Sequence, residues 1–310
     1  MTNRMKKKSQ QQYLPYRSLS GYLRGIFGRP IRKVPVDPGF GCPNRDGTIG
    51  VEGCSFCNTE SFVPQHARSG KDPVQQVRDH LKNSPKSKYI IYLQSGTGTH
   101  APVEDFRDLV GDLIQMQGNV GLFVGTRPDC VNEEIIDVLT PYMSRKLIWL
   151  ELGLQTSSNA TLNRIERGHD VDEFTRARHL AGEKGILVCA HIILGLPGEG
   201  HEEMMDTARF LAEHELEGVK IHHLQVIRGT KIEDEYKKGE IVTLDAAEYP
   251  ILVADFLERL TPRMVIHRLL ADAPDDLLIA PRWPTRQKLI LSIRDRLHLR
   301  GSFQGKLWSP

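Results

Sequence analysis

The chain has 310 residues, 39% of them hydrophobic and 26% charged, with a formal net charge of +2. That apolar fraction and low net charge exclude an intrinsically disordered chain, and no run reaches the roughly 18 to 20 apolar residues of a membrane span. The basic N-terminus lacks the apolar core of a secretory leader. Five cysteines are too few for a disulfide scaffold of this size. A cytoplasmic protein with reduced thiols and no membrane association is expected.

In chain order, residues 1–33 form a segment with nine Lys or Arg and no acid. Strand candidates follow at Arg32–Asp37, Tyr89–Gln94, Val120–Gly125, Leu147–Leu152, Ile186–Ile193 and Val219–Val226. Amphipathic stretches of helical spacing lie between them, at Val103–Gln117, Glu133–Leu139, Asp172–Glu183 and Glu202–Glu213. Gly118, Gly185 and Gly218 each follow such a stretch, where a left-handed C-cap is favoured. A strand spacing of roughly 25 to 35 residues is that of βα crossovers in a parallel sheet, either doubly wound or closed toward a barrel. Both architectures place chemistry at the C-terminal ends of the strands. Those ends read GFGC, QSGTGTHAP, GTRPDC, ELGLQTSS, HIILGLPGE and HHLQVIRGT, all rich in Gly and polar side chains.

Beyond about residue 240 the alternation stops. A helix candidate, Leu244–Leu260, precedes a strand-like MVIHRLL, a Pro-rich ADAPDDLLIAPRWP and a helically spaced TRQKLILSIRDRLHLRG. The expected organisation is a basic N-terminal segment (1–33), a core (34–240) and a basic C-terminal extension (241–310). Residues 282–310 carry seven bases against Asp295, while residues 34–281 carry 25 bases and 38 acids. Two ends of one sign suit a polyanion-binding surface; alternatively, they neutralise the acidic core. Tyr13, Tyr16, Tyr22, Phe27, Trp283, Phe303 and Trp308 interleave with these bases, either to stack on nucleotides or to pack the ends onto the core.

Three of the five cysteines fall within sixteen residues, as Cys42-x11-Cys54-x2-Cys57 in a Gly-rich loop after the first strand. Thiolates so close suit a soft metal or an iron–sulfur cluster. Three ligands rather than four leave one iron of a [4Fe–4S] cluster open. Zinc closed by His66 is the alternative. Cys130 and Cys189 stand alone and read as ordinary packed residues.

With this loop, and with LELGLQTS, IERGH and GLPGE following in order, the chain resembles the radical S-adenosylmethionine enzymes over about residues 30–240 and part of the tail. The first gap of eleven departs from the family's commonest C-x3-C-x2-C. A long first gap resembles the branch containing the Elongator catalytic subunit, and the ordered motifs resemble a bacterial Elongator-like group. The resemblance implies a partial (βα)6 TIM-like barrel of the radical SAM type with a C-terminal extension. It implies cluster ligands at Cys42, Cys54 and Cys57. It also implies S-adenosylmethionine contacts at Gly96, Thr97 and Thr99 for the amino group and at Glu151 and Gln155 for the ribose or carboxylate. Arg167 matches a carboxylate-binding arginine of coproporphyrinogen-oxidase-like members, His191 stands where those members have a ribose-binding acid, and Gly195 falls near adenine. The activity implied is reductive cleavage of S-adenosylmethionine to a 5′-deoxyadenosyl radical, with flavodoxin or ferredoxin as reductant. The Elongator likeness points to tRNA, held by the basic termini, although no stretch corresponds to Elongator's acetyltransferase domain. A small-molecule or protein substrate, or a non-catalytic metal-stabilised RNA-binding protein, are the alternatives.

Overall fold

The computed structural model describes residues 14–61, 63, 71–82 and 87–310. The elements are α1 (Leu19–Phe27), β1 (Arg32–Val36), α2 (Pro73–Leu81), β2 (Tyr89–Leu93), α3 (Val103–Ile114), β3 (Asn119–Thr126), α4 (Glu133–Leu139) and β4 (Leu147–Gln155). They continue as α5 (Asn159–Arg164), α6 (Val171–Glu183), β5 (Leu187–Leu194), α7 (His201–Glu213), β6 (Gly218–His223), β7 (Val226–Ile227) and α8 (Lys231–Lys237). The last are α9 (Glu248–Arg259), β8 (Val265–Arg268), β9 (Leu278–Ala280) and α10 (Arg286–Leu299).

Seven strands form one parallel sheet in the order β1-β2-β3-β4-β5-β6-β8, and β7 pairs with β9 in a separate antiparallel ribbon. The reading of six core strands is thus extended by one: β8, from beyond residue 240, adds to β6 with Gly218 opposite Val265. Side chains of β1, β4 and β8 meet in the interior. Lys33 Nζ lies 3.8 Å from Glu151 Oε1, and His267 Nδ1 lies 3.0 Å from the same oxygen. These strands are not neighbours, so the sheet curls into a half-barrel.

Alternation along each strand divides the apolar residues between two cores. Ile91, Leu93, Leu122, Val124, Leu150 and Leu152 face the helices. Ile90, Tyr92, Phe123 and Trp149 face inward, where they pack with Leu19 and Leu23 of α1. Strands buried on both faces are what a helix-covered parallel sheet requires, and β2 (YIIYL) is buried at every position. α1 starts on the Ser18 side-chain cap and stops at Gly28 (φ 66°). It closes the end of the barrel where the strands begin.

Several boundaries differ from the sequence reading. Gly118 (φ 88°) and Gly185 (φ 75°) take the left-handed conformation, but after α7 that role falls to Glu215 (φ 46°). Gly218 instead opens β6, where an added Cβ would lie 2.7 Å from the Trp149 ring. The helix expected from Leu244 begins at Glu248, because Asp245 Oδ1 accepts from the N–H groups of Ala247 and Glu248, both at 2.7 Å. The last strand candidate breaks at His223, and Val226–Ile227 pairs with β9 instead. α10 packs on α9, and Gln304 Nε2 donates to the carbonyls of Thr261 (2.7 Å) and Met264 (2.8 Å), tying the tail to the barrel.

Candidate active site

A cavity of about 360 Å³ lies at the C-terminal ends of the strands, with Cys42, Cys54 and Cys57 at one side. The loop carrying them is folded by its own backbone. The N–H groups of Arg45 and Asp46 donate to Cys42 O, Gly53 N to Asn44 O at 2.7 Å, and Cys57 N to Cys54 O at 2.9 Å. Glycine is required at Gly96 (φ 62°), where a Cβ would lie 2.6 Å from Phe40 O, which lets the loop after β2 lie directly on the cysteine loop. The segment after α5 lies on it too. Ser55 N donates to Ile165 O (3.0 Å), and Asn44 Nδ2 donates to Glu166 O (2.8 Å). Glu166 (φ 53°) and Gln155 (φ 74°) are left-handed without being glycine, a backbone strain typical of functional sites.

Three guanidinium groups surround the sulfurs. Arg167 Nη1 donates to Cys54 Sγ (3.5 Å) and its Nη2 to Gly153 O (2.9 Å). Arg45 donates to Cys57 O, and Arg127 makes a two-pronged pair with Asp129. Burial pushes the Cys54 thiol up, but Arg167's charge and hydrogen bond, Arg127's charge and Asn44's amide more than offset it and hold it below the usual thiol value. Cys57 is pushed up to about 11 by burial and by the neighbouring Cys54, with Arg45 pulling the other way.

The inner wall is built around Glu151, which is fully buried. Its Oε2 accepts from Lys220 Nζ (2.9 Å) and His191 Nε2 (2.8 Å), and its Oε1 accepts from His267 Nδ1 (3.0 Å). Lys220 also donates to the Tyr92 hydroxyl at 2.5 Å. Burial opposes ionisation of Glu151, yet Lys220, Lys33, His191 and His267 hold it well below the usual carboxylate range. Burial brings Lys220 down to about 8 and His191 to about 3, each partly countered by Glu151. Among the described residues, one set of three Cys, His, Asp or Glu ligand atoms lies within 4.8 Å of one another: Glu151, Cys189 and His267. There the ammonium of Lys220 already supplies the cation, and burial and Glu151 keep the Cys189 thiol protonated.

Of the residues singled out in the sequence, Cys42, Cys54, Cys57, Gly96, Thr97, Glu151, Gln155, Arg167 and His191 line this one cavity. Two do not. Thr99 is turned into the core, where its hydroxyl donates to Cys130 O and bonds Thr126 Oγ1, both at 2.6 Å. Gly195 lines a separate cavity under Leu244. Both oxygens of Glu151 are engaged by side chains, so at the cavity wall it orients Lys220 and His191. Asn44, Arg45, Arg127, Lys220, His222 and Arg268 join the site although no motif in the sequence marks them. For the strand residues Lys220, His222 and Arg268 the available signal is a charged or polar residue in an otherwise apolar strand, as in GVKIHH. His66 lies outside the described residues, as do Arg4, Lys6, Lys7, Lys8 and Tyr13.

The donor set fits an iron–sulfur cluster. Three cysteine sulfurs converge on one side of the cavity, soft donors of the kind that hold iron–sulfur clusters. Ser55 Oγ, Arg45 Nε, Arg127 Nη1 and Arg167 Nε are buried beside them without hydrogen-bond partners. Such donors match an anionic inorganic group and a carboxylate-bearing ligand.

The described N-terminal bases stand elsewhere. Arg24, Arg29 and Arg32 are exposed around α1, at the pole where the strands begin, so they do not flank the cavity. Lys33 points inward to Glu151 and the Tyr92 ring. At the other end of the chain, Arg300 pairs with Asp255 and Glu258, and Arg286 with Asp272. Arg286 and Arg300 therefore neutralise acids of the C-terminal extension itself. Trp283 stacks on His223 (4.1 Å between centroids) and Tyr249, and Tyr22 sits edge-on to Trp149, so these aromatics pack the ends onto the barrel.

Comparison with known proteins is consistent with this geometry. The model of the Radical SAM superfamily matches residues 36–211, and that of the Radical_SAM C-terminal domain matches residues 216–298. The chain is 38% identical over 299 residues to the uncharacterized protein YtqA of Bacillus subtilis, covering 94% of this chain and 92% of that one. It is 30% identical over 158 residues to the tRNA uridine(34) acetyltransferase of Dehalococcoides mccartyi, covering 50% of this chain and 34% of that one. In fold it is similar to the archaeal Methanocaldococcus infernus Elp3, with a TM-score of 0.69 at 19% identity over 88% of this chain and 64% of that chain. No helix among the described residues is long and apolar enough to cross a membrane.

Proposed function

Because the chain belongs to the radical SAM superfamily, we propose that its cavity receives a nucleoside of RNA, tRNA foremost, for modification. The chain is a radical SAM enzyme whose cofactors are a [4Fe–4S] cluster and S-adenosylmethionine. When bound, these supply a reductive cleavage that yields methionine and a 5′-deoxyadenosyl radical able to abstract a substrate hydrogen atom. On this reading Cys42, Cys54 and Cys57 hold the cluster. Arg167 and Asn44 donate hydrogen bonds at Cys54, which tunes the potential of such a group. Gly96, Thr97, Gln155 and Arg167 line the position for S-adenosylmethionine. Glu151 fixes Lys220 and His191 against the opposite wall, and α1 keeps water from the closed end. A flavodoxin or ferredoxin is the proposed electron donor.

The observation that carries the tRNA substrate is the 30% identity to a tRNA uridine(34) acetyltransferase over half of this chain. Arg282 and Lys288 of the C-terminal extension are exposed and can contact phosphates. The test compares modified tRNA nucleosides from cells with and without the gene, together with tRNA binding by the full chain at several salt concentrations. A lost or altered nucleoside, and binding that falls steeply with salt, are expected. An unchanged nucleoside profile with accumulation of a metabolite would overturn the RNA assignment in favour of a small-molecule substrate.

A further inference from the structure

We infer that the wall of the cavity built by β6 and β8 holds a negatively charged group of the substrate, a carboxylate or a phosphate, between Lys220, Arg268 and His222. The inference deepens the function proposed above and rests on it only in giving that anion to the substrate. Lys220 and Arg268 are register partners across the two strands, and both line the cavity with His222. Lys33 brings a third cation to the same interior, 3.8 Å from Glu151. Against these three charges stands one committed acid, Glu151. Asp272 also lines the cavity, 3.9 Å from Arg268, but it is shared with Arg286, so its one charge faces two guanidiniums. The histidines add nothing to the balance, since burial and the neighbouring cations keep His191, His222 and His267 neutral.

Lys220 is 4% exposed and Arg268 29%, so this excess of positive charge is only partly hydrated and favours an anion that meets it. Two further groups on this wall await an acceptor or donor: His222 Nε2 and His223 Nδ1 are buried without a hydrogen-bond partner. The cofactor does not account for the excess. The cations beside the cysteines form their own set: Arg167 with Cys54 and Gly153, Arg127 with Asp129, and Arg45 with Cys57. The cavity thus has two cationic ends, one at the sulfurs and one at β6 and β8. Arg268 offers the fork geometry that recognises carboxylate and phosphate alike.

The test uses the full chain, reconstituted with its cluster anaerobically and labelled with 15N-histidine. Sodium acetate, inorganic phosphate and the neutral isostere acetamide are titrated while the His222 resonance is followed. Acetate or phosphate shifts it saturably and acetamide does not, and the tighter of the two anions identifies the group. Arg268→Gln weakens that binding at least tenfold, and Arg268→Lys recovers part of the loss. Added S-adenosylmethionine leaves the anion response in place. Equal responses to acetate and acetamide, or unchanged affinity in Arg268→Gln, would overturn the assignment. Loss of the response on adding S-adenosylmethionine would also overturn it, by giving the wall to the cofactor. The tRNA reading fails separately, since an unchanged nucleoside profile leaves anion binding by the protein untouched.

Discussion

Arg167 and Cys54 are 113 residues apart in sequence, yet the guanidinium Nη1 lies 3.5 Å from the sulfur while Nη2 holds Gly153 O at 2.9 Å. One side chain thereby joins the cysteine loop, the end of β4 and the segment after α5. Arg167→Ala should remove a charged hydrogen bond to a metal-bound sulfur and make the cluster harder to reduce. Affinity for S-adenosylmethionine should fall at least tenfold, with Arg167→Lys intermediate because the ammonium lacks the fork. Spectroelectrochemical titration and equilibrium binding check both outcomes.

Replacing Cys42, Cys54 or Cys57 by Ala should abolish iron binding in anaerobically purified protein. Cys130→Ala and Cys189→Ala should retain iron, because Cys189 is fully buried among core residues and neither lines the cavity. Iron and acid-labile sulfide per chain decide the matter. Colourless protein carrying stoichiometric zinc would refute the cluster.

Glu151→Gln should destabilise the fold by about 3–5 kcal/mol, since it leaves the buried Lys220 ammonium without its counter-charge. A Glu151→Gln, Lys220→Met double variant should recover a large part of that loss. Urea midpoints of the wild type, Glu151→Gln, Lys220→Met and the double variant give the coupling.

Stability should fall as pH drops from about 6.5 toward 4. Burial holds His191 and His223 at about 3 in the folded chain, so in this window the unfolded chain binds more protons and stability rises with pH. The slope should be shallower in His223→Asn. Urea unfolding at closely spaced pH values measures it.

Two glycines should respond in opposite directions to alanine. At Gly218 the new methyl would meet Trp149 at 2.7 Å, and about 1–3 kcal/mol of overpacking is expected. At Gly111, inside α3 with nothing within 4 Å, alanine should stabilise by up to about 1 kcal/mol. Thermal unfolding of the two variants tests the contrast.

The alternation of strands and helices was legible because parallel strands buried on both faces leave apolar runs, and helices leave a 3.6-residue period. The cysteine loop was legible because its three ligands lie close in sequence. The inner wall was not: Lys33, Tyr92, Glu151, Lys220 and His267 come from five strands, and each looks like a lone polar residue until the sheet curls. Gly218 was misread for the same reason, since its need for hydrogen in place of a methyl comes from Trp149, a residue of another strand. Thr99 and Gly195 sit in motifs at the correct ends of their strands, but local backbone direction turns them away, which spacing alone does not reveal.

With Leu19 and Leu23 seated beneath Tyr92 and Trp149, the barrel is a blind well rather than a tunnel. With that end filled, a bulky polymer lying across the open rim would cover whatever had settled below. On the tRNA reading that sets an order of loading and discharge: the small molecule descends first and leaves last.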